Sequence, residues 1–515
     1  MNRRSPTALD SARRTADLEA LAGGAGVDVL VIGGGVTGTG VALDAASRGL
    51  RTVLVEANDL AFGTSRWSSK LVHGGLRYLA SGRIGVAHES AVERGVLMTR
   101  TAPHLIRALP QMVPLLPSVS RRAALLVRTG FTAGDALRMA ARTPAALLPR
   151  ARRVGPAEAA RLVPAVRTQG LRGALVAHDG QLVDDARLVT ALARTAAGHG
   201  ARVLTRVRAG RVTGSSAVLT DTLTDTAIEV TARAVINATG VWADQVDDSI
   251  RLRPSRGTHL VLDAATLGRP RGALTVPVPG TTSRFVFALP QQLGRVVLGL
   301  TDEDAPGPVP DVPVPTEEEI DFLLATVNTA LERDLTRADV LGSFAGLRPL
   351  LDTGGGETAD LSRRHAVREA PSGTITVVGG KLTTYRAMAQ DAVDLACRIR
   401  DLRADPCRTR DLPLVGAPGH PETPTAVRAD VPAPLLARYG GEAGAVLDTA
   451  TVSDPLGRIA PRVNVTRAEI AYTVTHEGAL DADDVLHRRT RIGLVDRDAR
   501  AARPGVEDVL AQLGS

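Results

Sequence analysis

The chain has 515 residues, 44% hydrophobic and 23% charged, which is too long for one simple core, so two or three globular domains are expected. A net charge of +7 and an aromatic content of 2% provide neither the basic surface nor the stacking partners of a nucleic-acid binder, and no such partner is expected. Of 62 basic residues only Lys70 and Lys381 are lysines. Arginine is a planar fork and lysine a compact point charge, so these two positions ask for something arginine does not supply.

Residues 1–26 read as a polar, mobile extension. They contain paired arginines but no apolar h-region, so they do not form a secretory signal. VDVLVI (27–32) is a short apolar run, rich in β-branched residues and ending in glycines, and predicts a buried strand. Helical spacing follows from Val36 to Arg48, and RTVLVE (51–56) predicts a second buried strand. This is the opening βαβ unit of a doubly wound α/β fold. Its turn, GGGVTG, places Gly33, Gly35 and Gly38 in the G-x-G-x-x-G pattern, with Gly34 between them. Such glycines permit a tight turn, close approach of a pyrophosphate to the backbone, and close helix–strand packing. Glu56, at the end of the second strand, suits ribose hydroxyls.

The run after Glu56 is crowded with small and hydroxyl residues, including Thr64, Ser65 and Ser69, which suit an extended ligand. No second strand–GxGxxG–helix unit is present for a separate nicotinamide cofactor. The reading is therefore a single bound FAD. INATGVWAD (236–244) ends another strand in small residues, so that Ala238, Thr239 and Gly240 pass close to the cofactor. The stretch 304–316 has five prolines and reads as a surface loop. In GSFAGLRPLLD (342–352), Arg348 lies among apolar residues and needs a partner, either a structural carboxylate or a substrate anion. TITVVGGKLTTYR (374–386) is a further strand–Gly-Gly–helix junction, where Gly380, Lys381, Leu382 and Thr383 face something electron-rich.

The expected architecture is α/β: an FAD-binding, doubly wound Rossmann-like domain over 27–400, with an inserted α+β substrate domain (roughly 100–170 and 251–340) and a mainly helical C-terminal domain over 401–515. Cys397 and Cys407 have no metal-site spacing, so no metal is expected and a reducing compartment fits. No apolar run of about eighteen residues predicts a transmembrane helix. A cytoplasmic location is the expectation.

Taken together, VLVIGGGVTGTGVALDAASRGL, SSKLVHGGLRYL, LVDDARLV, INATGVWAD, GTHLVL, GLRPL and GGKLTTYR resemble the FAD-dependent glycerol-3-phosphate dehydrogenases, over about residues 27–495. The C-terminal THEGALDADDVLHRRTR matches more weakly. The resemblance implies oxidation of sn-glycerol 3-phosphate to dihydroxyacetone phosphate, hydride transfer to flavin N5, and passage of electrons to a quinone. It implies substrate contacts from Arg77, Tyr78, Arg348, Arg363 and Lys381, with Arg364 adjacent to the third arginine. It also places Lys70 and Leu71 in the cofactor-binding run. Arg348 and Lys381 are implied in catalysis, and His259 or His73 as the acceptor of the hydroxyl proton. Trp67 is bulkier than the small residue the pattern leads one to expect.

The segment 121–153 mixes apolar residues with eight arginines and one acid, Asp135. It reads either as a basic surface against anionic lipid at the inner face of the membrane or as a solvated basic face. Three rival readings remain: a glycerol-3-phosphate oxidase using oxygen, an amine or hydroxy-acid oxidase of the same flavin fold, and a flavin-binding scaffold without turnover. A homodimer is compatible with all of them.

Overall fold

Val27–Ile32 pairs in parallel with Thr52–Val55 on one side and with Thr226–Asn237 on the other. Ile375–Val378 and Arg202–Leu204 extend this parallel array outward, and Ala366–Glu369 closes one edge antiparallel. The computed structural model that shows this describes residues 5–75, 83–281, 284–352, 365–424 and 429–514. The first strand is buried on both faces, which is why its sequence is apolar except for Asp28, which pairs with Arg51. Val29 and Val31 pack toward the helices, while Leu30 and Ile32 pack toward a layer built on the antiparallel pair Val207–Gly210 and Ser216–Asp221. The helices Val36–Ser47, Asp185–Gly198 and Tyr385–Arg400 cover the first face. Gly38 lets the first of them come close, since a Cβ there would lie 1.8 Å from the Gly33 carbonyl oxygen.

A second, ten-stranded sheet has Ser255–Asp263 paired along its length with Val340–Arg348, and Ile106–Pro114 paired with Ala174–Leu182. These pairings widen the segments expected for the substrate region. Leu71–Val72, Ala174–Leu182 and the strand carrying Arg348 all belong to this sheet, because their hydrogen-bonded partners lie inside it. The C-terminal region has its own core around Val463, Ile470, Val485, Leu486, Ile492, Val506 and Val509, with a final helix Asp496–Leu513.

The mobile extension expected at the N-terminus is corrected over residues 5–26. Asp10 caps the helix Ser11–Ala22 by accepting from Arg13 N at 2.7 Å. Ala8, Leu9 and Leu21 are buried, and Leu9 N donates to His476 O at 3.0 Å. Arg14 pairs with Asp221 at 2.6 Å, and the Thr7 hydroxyl donates to Glu422 at 2.6 Å. Few apolar residues suffice here because Thr7, Arg13 and Arg14 meet fixed partners on the folded body.

Candidate active site

The parallel strands all end on the same side, and a cavity of about 540 Å³ opens beyond their C-terminal ends, where ligands bind in doubly wound sheets. Gly33 and Gly35 line it after the first strand, Glu56 after the second, Ala238–Gly240 after Thr226–Asn237, and Gly379–Thr383 after Ile375–Val378. Gly33 has φ 114°, a conformation suited to glycine, and a Cβ there would lie 2.6 Å from Ala238 O. Glu56 accepts Gly34 N at 2.6 Å and Asn58 N at 2.9 Å, one on each carboxylate oxygen, leaving further lone pairs for hydroxyls. Ser65 Oγ accepts from Val36 N at 2.9 Å, at the opening of the first helix. Asn237, fully buried, holds the next turn by donating to Ala243 O and accepting from Thr239.

The glycine cradle, the carboxylate at one end and the Gly-Gly turn at the other form an elongated site that fits FAD. Of the residues expected to bind the cofactor, Thr64, Ser65, Leu71, Gly240, Gly380, Leu382 and Thr383 line the cavity. Gly34 and Gly38 instead shape the turn. Ser69 and Lys70 correct the cofactor assignment more sharply, because neither lines the cavity. Ser69 Oγ is 2.8 Å from His259 Nε2, and Lys70 is buried against Asp185 at 3.2 Å.

The far half of the cavity is lined by His73, His259, Arg348 and Lys381. Arg348 has a structural carboxylate partner and also lines the cavity. Its guanidinium donates to Asp302 Oδ1, Ser255 Oγ and Thr301 O, each at 3.1 Å. Lys381 precedes the short turn Leu382–Thr384 and sends its ammonium to Ser90 Oγ on the helix Ile84–Val96. His259 is pushed down to about 3 by burial, reinforced by the nearby Lys70 and Arg348 cations, so its imidazole is neutral at ordinary pH. Arg77, Tyr78 and Arg363, with Arg364, lie outside the described residues.

Glycines inside the second sheet make room for these side chains. A Cβ at Gly257 would lie 2.3 Å from Arg348 Nη2, one at Gly299 2.3 Å from His259 Cδ2, and one at Gly346 2.7 Å from Trp67 Cβ. The last of these lets the chain at Trp67 approach closely, and the Trp67 ring meets the Arg66 guanidinium and Phe344. Glycine inside a strand is the sequence signal for this crowding. Trp242 also lines the cavity, packed against Gly63, so both tryptophans of the chain are there. Asp184, Asp185, Ser90 and Asp302 received no role from sequence. Each meets its partner only through the fold.

The two-sheet architecture and the dinucleotide cradle define an FAD-type oxidoreductase, and a family model described as FAD dependent oxidoreductase matches residues 28–395. A second model, the C-terminal domain of alpha-glycerophosphate oxidase, matches residues 407–514. Glycerol-3-phosphate dehydrogenase 1 of Mycobacterium tuberculosis is 63% identical over 495 residues, covering 95% of this chain and 96% of that protein. The chain belongs to the FAD-dependent glycerol-3-phosphate dehydrogenase family. The solved glycerol-3-phosphate dehydrogenase from Bacillus halodurans complexed with FAD matches with a TM-score of 0.75 and 26% identity, covering 98% of this chain and 94% of that one. The L-alpha-glycerophosphate oxidase of Mycoplasma pneumoniae shares the fold, with a TM-score of 0.57 and 18% identity over 75% of this chain and 98% of its own.

Proposed function

We propose that this protein oxidises sn-glycerol 3-phosphate to dihydroxyacetone phosphate with FAD as cofactor and passes two electrons and two protons to a quinone. The observation that carries the reading is the single cavity in which a dinucleotide cradle continues into a half lined by Arg348, Lys381, His73 and His259. FAD, when bound, supplies the hydride acceptor. The chain's own residues do the rest. Arg348, held by Asp302, and Lys381 offer fixed positive charge to the substrate phosphate. The neutral His259 imidazole, with Ser69 on Nε2, serves as acceptor for the secondary-alcohol proton, and His73 lines the same half. Arg77, Tyr78 and Arg363 complete the proposed substrate set. Anaerobic titration of the yellow holoprotein tests this. Bleaching by sn-glycerol 3-phosphate but not by glycerol supports it, and no bleaching sinks it. Peroxide produced in step with turnover in air would favour oxygen over quinone.

The proposed place of work is the inner face of the membrane, by peripheral contact. Among the described residues no helix is long and apolar enough to cross a membrane. The helix Arg121–Ala140 exposes Leu125, Leu126 and Met139 beside exposed Arg121, Arg122 and Arg128. Apolar side chains beside arginines suit an anionic lipid surface. Co-sedimentation with anionic liposomes, weakened when these arginines become serine, is expected. Unchanged co-sedimentation would discard the contact. A homodimer is a further proposal, checked by light scattering.

A further inference from the structure

Lys70 is one of two lysines in the chain, and it is not at the cavity surface. It has φ 58° and is 3% exposed, and its ammonium lies 3.2 Å from Asp185 Oδ1 and 5.3 Å from the centroid of Phe344. Asp185 also accepts from Ser68 through both N (3.0 Å) and Oγ (2.7 Å), and Ser68 Oγ accepts from Lys70 N at 2.9 Å. Lys70 O takes the Leu182 amide at 2.8 Å. The turn 68–70 is thus tied through Ser68 and Lys70 to the start of the helix Asp185–Gly198 and the strand before it. The free hydroxyl of that turn is Ser69, which meets His259 Nε2, while Phe344, under the ammonium, stacks on the same imidazole at 4.7 Å and 13°.

We infer that Lys70 is a positioning residue for substrate oxidation: its ion pair with Asp185 fixes the Ser68–Ser69 turn and so sets the Ser69–His259 hydrogen bond. The inference rests on the substrate reading above. It also accounts for lysine in an arginine-dominated chain. The site is closed around a compact ammonium sitting over a ring, and a planar fork would displace Phe344 or Asp185. The charges facing His259 are Lys70 from this turn, Arg348 from its neighbouring strand and Asp185 from the helix, whereas Arg295–Gly299 on the other side presents the uncharged Gly299. Removing the lysine charge therefore lets protonation of His259 begin at higher pH.

The test uses full-length holoenzyme in anaerobic stopped-flow reduction by sn-glycerol 3-phosphate between pH 5 and 9, with Lys70→Arg, Lys70→Met/Asp185→Asn and Ser69→Ala. The double variant removes both buried charges together and avoids an orphaned carboxylate. Expected is full FAD content and a limiting reduction rate lowered about 10-fold or more in all three variants, with substrate affinity nearly unchanged. Wild-type limiting rates in these variants would overturn the inference. If the Lys70 variants lose FAD, Ser69→Ala decides alone: a slowed rate supports the inference and a wild-type rate overturns it. Failure of the wild type itself to bleach would overturn the substrate reading, and this inference with it.

Discussion

Arg348 is held at the cavity by one carboxylate that also accepts the Ser255 hydroxyl, so Asp302 decides where the guanidinium points. Replacing Asp302 with Asn keeps the shape and removes the charge, which weakens a charge-assisted hydrogen bond. Substrate affinity is expected to fall about 10-fold with FAD content unchanged; an unaltered half-saturation in the bleaching titration would refute this. A second expectation concerns acid. His104 and His259 are pushed down to about 3 and His476 to about 4, in each case chiefly by burial, with Arg187, Lys70 and Arg194 the respective next contributors. The unfolded chain protonates these groups near their ordinary value of 6.5, while the folded protein resists until pH 3–4. Their contribution to stability is therefore complete above pH 6.5 and lost as the pH falls toward 3, at up to ~1.4 kcal/mol per pH unit for each histidine. Urea midpoints that stay level from pH 7 to pH 4.5 would contradict it.

At the scale of elements, the strand Arg295–Gly299 matters for what it lacks. Gly299 stands opposite His259 in register, and its missing side chain is the space the imidazole occupies. Gly299→Ala should displace the ring and slow flavin reduction by ~100-fold, since misplacement near 1 Å is that damaging, while leaving FAD bound. A near-wild-type rate would show that the ring has room to move. The parallel strands were legible because short, mainly apolar runs leading into glycine have few other meanings: VDVLVI, AVINATG and TITVVGG each stand in the parallel array. Strands of the second sheet were harder. Val340–Arg348 and Ala174–Leu182 carry mixed residues whose partners lie across long loops, and no local pattern records which sheet they join. The helix Ser11–Ala22 was missed for a related reason, since its anchors, Asp221 and the Ala197 and Ala201 carbonyls, are far along the chain.

At the scale of the molecule, the C-terminal region is fastened to the cofactor loop by buried charge. Asp59, fully buried three residues after Glu56, accepts from Arg488 Nε at 2.6 Å and from both Arg489 Nη atoms at 2.8 Å. Burial alone would push this carboxyl up, but the two guanidinium groups hold it well below the usual carboxylate range. Arg187–Glu477 and Arg194–Glu442, each at 2.8 Å, repeat the arrangement on the helix Asp185–Gly198. Arg489→Met leaves a buried charge undercompensated and should destabilise the protein by roughly 3–5 kcal/mol, seen as a lower urea midpoint. A shift too small to resolve would mean that Arg488 suffices. The motif containing these arginines was recognisable in the sequence, but its targets, more than four hundred residues away, were not. The two tryptophans have an optical consequence. Trp67 and Trp242 are the whole indole content of the chain, and both line the cavity that fits FAD. Ultraviolet emission from this protein is therefore expected to gauge cofactor occupancy, quenched when flavin is seated and restored when it is stripped, so that a preparation could be assayed for empty molecules without any substrate.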